Sequence, residues 1–261
     1  MRTFRCLLTC HALILLMFHA PASAQTQVRP FVDHIHLSVP DRAEGVAWYQ
    51  RHFGGETMTE GPYRLLLGET RLIFRVDESA LPSAGSVLDH IGFSVADLDV
   101  SLMELEAAGA RITTPARDVP GLFRLAFIED PWGTRIEVVQ DPEKRGLHHV
   151  HLRGRDSAAT LAWYREQFGG NVGKLKGRID GVEYGGVWVL AQQGDATPSQ
   201  GHAIDHIGFR PLNLDALVAQ LKSRNVEITD GPRPLTLASG VSMRLAFLEG
   251  PDGARIELVQ R

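Results

Sequence analysis

The segment that decides the fold is DHIHL at residues 33–37, because it returns as HHVHL at residues 148–152. Polar and apolar side chains alternate through both copies, as in a strand with one face towards a core. Two related segments separated by about half of a 261-residue chain indicate duplicated structural units.

Further pairs of segments follow in the same order. Matching pairs are WY at 48–49 and 163–164, FGG at 53–55 and 168–170, DHIGF at 89–93 and 205–209, and DPWGTRIE at 130–137 and GPDGARIE at 250–257. Chance does not align this many features in order. The chain therefore contains two homologous modules, residues 31–142 and 146–260.

Each module also repeats internally. In the first half-module, Asp41 is placed to cap a helix at residues 43–53, Gly54 and Gly55 end it, and three short strands follow. The second half-module repeats this order of elements, with a strand at residues 90–95 and a helix at residues 98–108 that Asp97 would cap. The sequence predicts an α+β fold of four βαβββ units.

The first 24 residues read as a secretory signal peptide. Arg2 and Arg5 precede an apolar run at residues 6–18, and Ala22-Ser23-Ala24 is a small-residue cleavage site. The run is shorter than the roughly 20 residues that a membrane span needs. A buried N-terminal helix is the alternative. We expect a secreted or periplasmic protein that has no membrane contact once the signal peptide is removed.

Charge and cysteine content exclude several classes of function for the mature chain. Cleavage removes two arginines and no acidic residue, so the formal charge of −4 becomes about −6. An acidic chain without a clustered basic excess is not expected to bind nucleic acid. Cleavage also removes Cys6 and Cys10, the only two cysteines, which excludes disulfides and thiolate chemistry.

The repeated motifs resemble the vicinal oxygen chelate superfamily, which includes glyoxalase I, extradiol dioxygenases, methylmalonyl-CoA epimerase and fosfomycin-resistance proteins. The most specific match is Asp-Pro-Trp-Gly at residues 130–133 with Ile136-Glu137. The resemblance covers nearly the whole mature chain. It implies two modules of the glyoxalase type, each with two βαβββ units forming an eight-stranded cup around a divalent metal.

The resemblance also implies the ligands. The first module supplies His34, His90 and Glu137, and the second supplies His149, His206 and Glu257. Two imidazoles and a carboxylate leave coordination positions open and suit Fe(II), Zn, Ni or Mn. Half-modules exchange in some members of this superfamily, which would regroup the ligands, for example His34 with His206 and Glu257. Gly92 and Gly208 share the inward rows and leave room beside the metal.

Other polar residues near these positions have two readings. His36 and His151 share the inward face with His34 and His149, and each serves either as a general base or hydrogen-bond donor, or as pocket wall. His148 has the opposite strand parity and is expected to face outward. Arg124 and Arg244 either clamp a substrate anion or form surface ion pairs.

Departures from the superfamily narrow the chemistry. The fourth strand of each module is apolar at residues 72–74 and 188–190, where glyoxalase-like and epimerase-like members carry a fourth ligand. Phe127 and Phe247 stand where extradiol dioxygenases carry a tyrosine. The primary hypothesis is a metal-dependent enzyme acting on a small substrate that chelates the metal through vicinal oxygens. The alternatives are a glyoxalase-like lyase or isomerase and a non-catalytic binding protein, in either case a monomer or homodimer.

Overall fold

The computed structural model describes residues 28–261. The proposed signal peptide lies outside the described residues and stays a prediction. From Val28 onward the chain forms four units, each with one strand, one helix and three strands. No helix in this described part is both long enough and apolar enough to cross a bilayer.

The bounds of the elements follow the chain order. Unit 1 contains β1 Val28–Val39, α1 Arg42–Phe53, β2 Glu56–Met58, β3 Gly61–Leu67 and β4 Thr70–Val76. Unit 2 contains β5 Leu88–Ser94, α2 Leu98–Ala107, β6 Arg111–Asp118, β7 Arg124–Glu129 and β8 Arg135–Gln140. Unit 3 contains β9 Gly146–Gly154, α3 Ser157–Phe168, β10 Asn171–Leu175, β11 Ile179–Tyr184 and β12 Val187–Gln193. Unit 4 contains β13 Ile204–Pro211, α4 Leu214–Ser223, β14 Ile228–Thr236, β15 Ser242–Glu249 and β16 Arg255–Gln260, with a 3₁₀ turn at Pro251–Gly253.

The predicted helix signals operate as expected. Asp41 Oδ1 accepts hydrogen bonds from the backbone N–H groups of Ala43 at 2.7 Å and Glu44 at 3.2 Å. Asp97 caps α2 through the N–H of Val100 at 3.1 Å. Gly54 ends α1 at a φ of 76°, a left-handed conformation that favours glycine. The predicted boundaries of α1 and α2 are therefore within one residue of those observed.

The sheets pair units from different modules. Sheet 1 joins units 1 and 4 in the order β14-β15-β16-β13-β1-β4-β3-β2, and sheet 2 joins units 2 and 3 in the order β10-β11-β12-β9-β5-β8-β7-β6. The grouping of ligands by sequence module is therefore wrong, and the exchanged grouping is the observed one. Only residues 141–145 connect β8 to β9, so unit 3 continues the sheet of unit 2 at its nearest free edge.

Units 1 and 2 form the first sequence module and units 3 and 4 the second. Within each module the two units are joined by packing in the hydrophobic core instead of by strand pairing. Phe53 of α1 stacks on Phe93 of β5 with ring centroids 4.1 Å apart, and Phe168 of α3 stacks on Phe209 of β13 at the same distance. Helices thus join units 1 and 2 and units 3 and 4, whereas strands join units 1 and 4 and units 2 and 3. One continuous hydrophobic core contains residues of all four units.

Candidate metal centres

Site 1 is formed by four side chains of sheet 1. His34 and His36 lie on β1, His206 lies on the neighbouring β13, and Glu257 lies on β16. One donor atom from each side chain lies within 4.8 Å of the others. His34, His206 and Glu257 are buried and His36 is half-buried. Strand pairing thus brings together residues up to 223 positions apart.

The spacing of the donor atoms in site 1 fits a metal ion. Nε2 of His34 lies 3.2 Å from Oε2 of Glu257, and Nε2 of His206 lies 3.0 Å from the same oxygen. Ligand bonds of about 2.1 Å place neighbouring donors about 3.0–3.4 Å apart in octahedral or tetrahedral geometry. Both nitrogen–oxygen distances match that separation.

Buried aspartates hold the outer nitrogens of both histidines. Nδ1 of His34 donates to Asp33 at 2.9 Å, and Nδ1 of His206 donates to Asp205 at 2.6 Å. Burial alone would raise the pKa of both carboxyls, but their hydrogen bonds to histidine and the nearby arginines lower it well below the usual range. Ionised aspartates therefore accept from Nδ1, which directs each Nε2 towards Glu257.

Gly208 makes room for one ligand of site 1. A Cβ atom at Gly208 would lie 2.1 Å from Cε1 of His34, a distance at which the imidazole must move. Gly92 has the same relation to His149, again at 2.1 Å. The predicted role of both glycines is supported, with each one next to a histidine of the neighbouring unit.

Site 2 repeats the arrangement in sheet 2 with His90, Glu137, His149 and His151. Nε2 of His90 lies 3.2 Å from Oε2 of Glu137, and Nε2 of His149 lies at the same distance from that oxygen. The His149 contact does not form a hydrogen bond, so this buried nitrogen has no partner among residues 28–261. Nδ1 of His90 donates to Asp89 at 2.7 Å.

The outward placement predicted for His148 is wrong. The residue is fully buried, and its Nδ1 lies 2.8 Å from Nδ1 of His149. In the pairing of β5 with β9, Gly92 opposes His149 and Phe93 opposes Leu147, so His148 is the extra residue of a bulge. A bulge breaks strict alternation and re-aims one side chain, which the sequence pattern did not reveal.

Register shifts of the same kind place the aspartates that accept hydrogen bonds from Nδ1 of the cluster histidines. Asp33, Asp89 and Asp205 are also extra residues at register shifts, each directly before a histidine of the cluster. The Asp-His pairs are visible in the sequence, but no role was predicted for the aspartates. The recurrence of Asp before His in three of the four units is the signal that could have found them.

All six predicted ligands enter the two clusters, and His36 and His151 join them as fourth members. His36 stacks on His206 with centroids 4.2 Å apart. Burial lowers the pKa of His36 and of His151 well below 6.5, so both are neutral imidazoles at neutral pH. Their pKa values therefore do not lie near neutrality as predicted.

The structure also shows the surroundings of the two arginines and of the apolar fourth strands. Arg124 pairs with Asp99 at 2.6 Å and Arg244 pairs with Asp215 at 2.7 Å, so both form surface ion pairs. The apolar fourth strands do not contribute ligands to the clusters. Ile73 of β4 instead lies in register with His36 of site 1.

The two sites differ in their surroundings. Site 1 opens into a cavity of about 520 Å³, and a second cavity of about 720 Å³ adjoins it through shared lining residues. These shared residues are His36, Arg64, Ile73 and Arg75. Site 1 therefore has space for a small organic molecule beside its histidines.

Around site 2 the corresponding space holds a hydrophobic cluster. Its buried members are Phe123, Leu125, Val139, Leu175 and Leu190. Leu190 lies in register with His151, and the ring of Phe123 lies 5.4 Å from that of His148. An apolar cluster thus lies beside site 2, with Phe123 in contact with His148.

The fold and these two clusters define a glyoxalase-type protein with paired βαβββ units. The sequence model of the Glyoxalase/Bleomycin resistance protein/Dioxygenase superfamily matches residues 31–138 and 146–258, so the chain belongs to this superfamily. No curated protein matches the chain.

Solved structures show the same fold. Glyoxalase I from Zea mays superposes with a TM-score of 0.65 at 19% identity, covering 88% of this chain and 92% of that chain. A proposed dioxygenase from Bacillus subtilis subsp. subtilis str. 168 gives a TM-score of 0.60 at 14% identity, covering 90% and 86%. At these identities the likeness concerns the fold alone.

Proposed function

We propose that the protein is a divalent-metal-dependent enzyme whose active centre is site 1, acting on a small substrate that chelates the metal through vicinal oxygens. The observation that carries this proposal is the convergence of two Nε2 atoms on Oε2 of Glu257 at 3.0 and 3.2 Å. Superfamily membership supports it, since metal-dependent glyoxalases and dioxygenases share this fold.

The charge balance of site 1 favours a bound cation. Asp33 and Asp205 require a proton on Nδ1 of His34 and His206, so a neutral ring presents a lone pair from Nε2. Two lone pairs facing one carboxylate oxygen repel it unless positive charge lies between them. Two protons would create two buried imidazolium rings 5.6 Å apart, whereas a divalent ion supplies the same charge to neutral imidazoles.

Each residue of the site then has a defined task. His34, His206 and Glu257 would hold the ion, while the two aspartates orient the rings. A bound ion supplies Lewis acidity and a template for two substrate oxygens and, if redox-active, oxygen activation. Nδ1 of His36 is buried and has no hydrogen-bond partner in the described part of the chain, so His36 is placed to bind a substrate oxygen or to complete the ligand set.

Site 1 is preferred over site 2 because of access. Residues of β15 and β16 around Glu257, including Leu245 and Val259, line the cavity. Their counterparts Leu125 and Val139 belong to the apolar cluster that packs against site 2. We therefore propose that both sites bind metal and that site 1 alone turns over substrate.

Metal analysis tests the proposal. We would measure the metal content of wild type, His34→Ala, His149→Ala and the control His52→Ala, which removes a histidine of α1 outside both clusters. About two equivalents are expected in wild type and in the control, and each cluster variant should lose one. No metal after incubation with Fe(II), Zn, Ni and Mn would overturn the enzyme reading in favour of a binding protein.

A substrate screen with the same variants tests the assignment to site 1. Turnover should disappear in His34→Ala and persist in His149→Ala, because only the first loses a metal beside the cavity. Activity that needs air would identify an oxygenase, and anaerobic activity would identify a lyase or isomerase. Loss of turnover in His149→Ala alone would contradict the assignment.

A further inference from the structure

We propose that the substrate of site 1 carries, besides its chelating oxygens, a carboxylate that Arg64 binds. This inference rests on the proposed function of site 1 and adds the chemical class of its substrate. The observation behind it is that the arginines around the site differ in whether a carboxylate of the protein lies within ion-pair distance.

Most arginines beside site 1 are already paired. Arg71 and Arg261 lie 3.4 and 2.8 Å from Oδ1 of Asp33, and Arg210 contacts the same oxygen. Asp205 binds two more, Arg75 at 2.7 Å and Arg255 at 2.5 Å. Each of these five guanidinium groups therefore already has a carboxylate partner within ion-pair distance.

Arg64 is different. Within the described residues no carboxylate lies within ion-pair distance of its guanidinium, and its Nη1 is buried without a hydrogen-bond partner. Burial lowers the pKa of this guanidinium, as does the charge of Arg261. A buried guanidinium that lacks an acceptor is unfavourable, and a carboxylate from a ligand would satisfy it through two parallel hydrogen bonds.

The position of Arg64 suits a ligand that also reaches the metal cluster. Arg64 lies opposite Ile73, which lies in register with His36, so two strand spacings, or about 10 Å, separate the backbones of Arg64 and His36. Arg64 and His36 line both cavities. A chelating group and a carboxylate a few bonds apart would span this gap.

Two further observations favour a carboxylate. A Cβ at Gly61 would lie 3.2 Å from Cδ and Nε of Arg64, so the glycine leaves room for the long side chain. Glu60, Glu257 and Asp33 are near enough to raise the pKa of Arg64. Next to these three acidic groups, a singly charged carboxylate meets less repulsion than a doubly charged phosphate.

Site 2 lacks this anchor. Register places Gly181 of β11 where Arg64 stands in site 1, because Gly181 opposes Leu190 as Arg64 opposes Ile73. A Cβ at Gly181 would lie 2.7 Å from Leu190, so even a small side chain is crowded there. Anion binding is therefore expected at site 1 alone.

Binding of matched chelators tests the inference without turnover. Acetohydroxamate and the monohydroxamates of succinic and glutaric acid present the same pair of chelating oxygens, and only the latter two add a carboxylate. Calorimetric titration would use the zinc-loaded full chain as wild type, Arg64→Met, Arg64→Lys and the control Arg244→Met. Arg244 is an exposed arginine of β15, paired with Asp215.

We expect at least one carboxylated probe to bind wild type and Arg244→Met about 10- to 100-fold more tightly than acetohydroxamate, at one site per chain. Arg64→Met should abolish this preference and leave acetohydroxamate affinity unchanged, and Arg64→Lys should keep part of it. Equal affinities in wild type, or a preference that survives Arg64→Met, would overturn the inference. Absence of bound zinc would instead overturn the proposed function, and bound zinc without hydroxamate binding would overturn both the chelating substrate and its anchor.

Discussion

Sites 1 and 2 have the same ligand types on equivalent strands, yet their surroundings differ in charge. Five positions that are arginine beside site 1 are not basic beside site 2. The pairs are Arg64 and Gly181, Arg71 and Trp188, Arg75 and Gln192, Arg210 and Ser94, and Arg261 and Asp141. The two sites thus share their candidate metal-binding residues, whereas the five arginines beside site 1 have no basic counterparts at site 2, where an apolar cluster lies next to the histidines.

One ion pair of site 1 is replaced in site 2 by a hydrogen bond between a histidine and an aspartate. In site 1 the bulge residue Asp33 pairs with Arg261 at the end of sheet 1. In site 2 the bulge residue is His148, and the position of Arg261 is held by Asp141, 3.4 Å from His148. Nε2 of His148 donates to Asp141, so Nδ1 of His148 is left to accept a hydrogen bond from Nδ1 of His149, as Asp33 accepts from Nδ1 of His34.

The largest expected effect comes from filling the space next to a ligand. Gly208→Ala should displace His34, remove the metal of site 1 and abolish binding of hydroxamates at the open site. Gly92→Ala should displace His149 and remove only the metal of site 2. We expect each loss of metal affinity to exceed the 10- to 100-fold typical of an outer partner, measured by competition with a chelator. Two variants that both keep two metals would contradict the steric role of these glycines.

A second difference between the modules lies in the turn before the last strand. Asp130 is buried and accepts hydrogen bonds from Tyr49 at 2.7 Å and from two backbone N–H groups, whereas Gly250 holds the equivalent position. Burial raises the pKa of Asp130 from 3.8 to about 6. Between these values the folded chain binds more protons than the unfolded chain, so this contribution to stability falls as pH rises.

We therefore expect the free energy of unfolding of wild type, relative to Asp130→Asn, to fall by roughly 2 kcal/mol between pH 4 and pH 7. Urea unfolding at both pH values measures it. The variant serves as the reference because the other titrating groups are common to both proteins. A difference that does not change with pH would show that Asp130 has an ordinary pKa.

The outer partners of the ligands should matter less than the ligands themselves. Asp33→Asn keeps an acceptor for Nδ1 of His34 but removes the negative charge, so metal affinity at site 1 should drop by about 10- to 100-fold. His148→Phe should weaken site 2 at the lower end of that range, because a histidine partner has less negative charge to lose. Metal competition assays would detect the difference, and an equal or reversed order would contradict it.

The smallest effect concerns the tyrosines of the two helices. Tyr49 donates to Asp130, but the hydroxyl of its counterpart Tyr164 is buried without a partner within the described residues. Tyr49→Phe should lower the free energy of unfolding by about 1–2 kcal/mol, and Tyr164→Phe should leave it unchanged or raise it. Thermal unfolding of the pair provides the measurement, and equal losses would show that Tyr164 has a partner after all.

Much of the candidate site was readable from sequence because its signals are local. The Asp-His and Ile-Glu motifs identify five of the six predicted ligands, and His149, which follows His148, is identified by its match to His34 in the other module. The recurrence of these residues at matched places in two modules separates them from isolated histidines. Arg64 had no such signal, since an arginine in a strand is ordinary until its neighbours are known. His148 was misplaced because a bulge, which depends on the partner strand, overrides strict alternation.

The amino-acid sequence by itself determined the four βαβββ units, their superfamily and the residue types able to bind a metal, because periodicity, caps and ligand chemistry are properties of short segments. Only the tertiary structure decided which units share a sheet. That choice depends on which strand edges meet across long distances in the chain, and residues 141–145 are short enough to keep units 2 and 3 side by side. The same long-range contacts decided that site 1 opens into a cavity while an apolar cluster that includes Leu190 and Phe123 lies beside site 2.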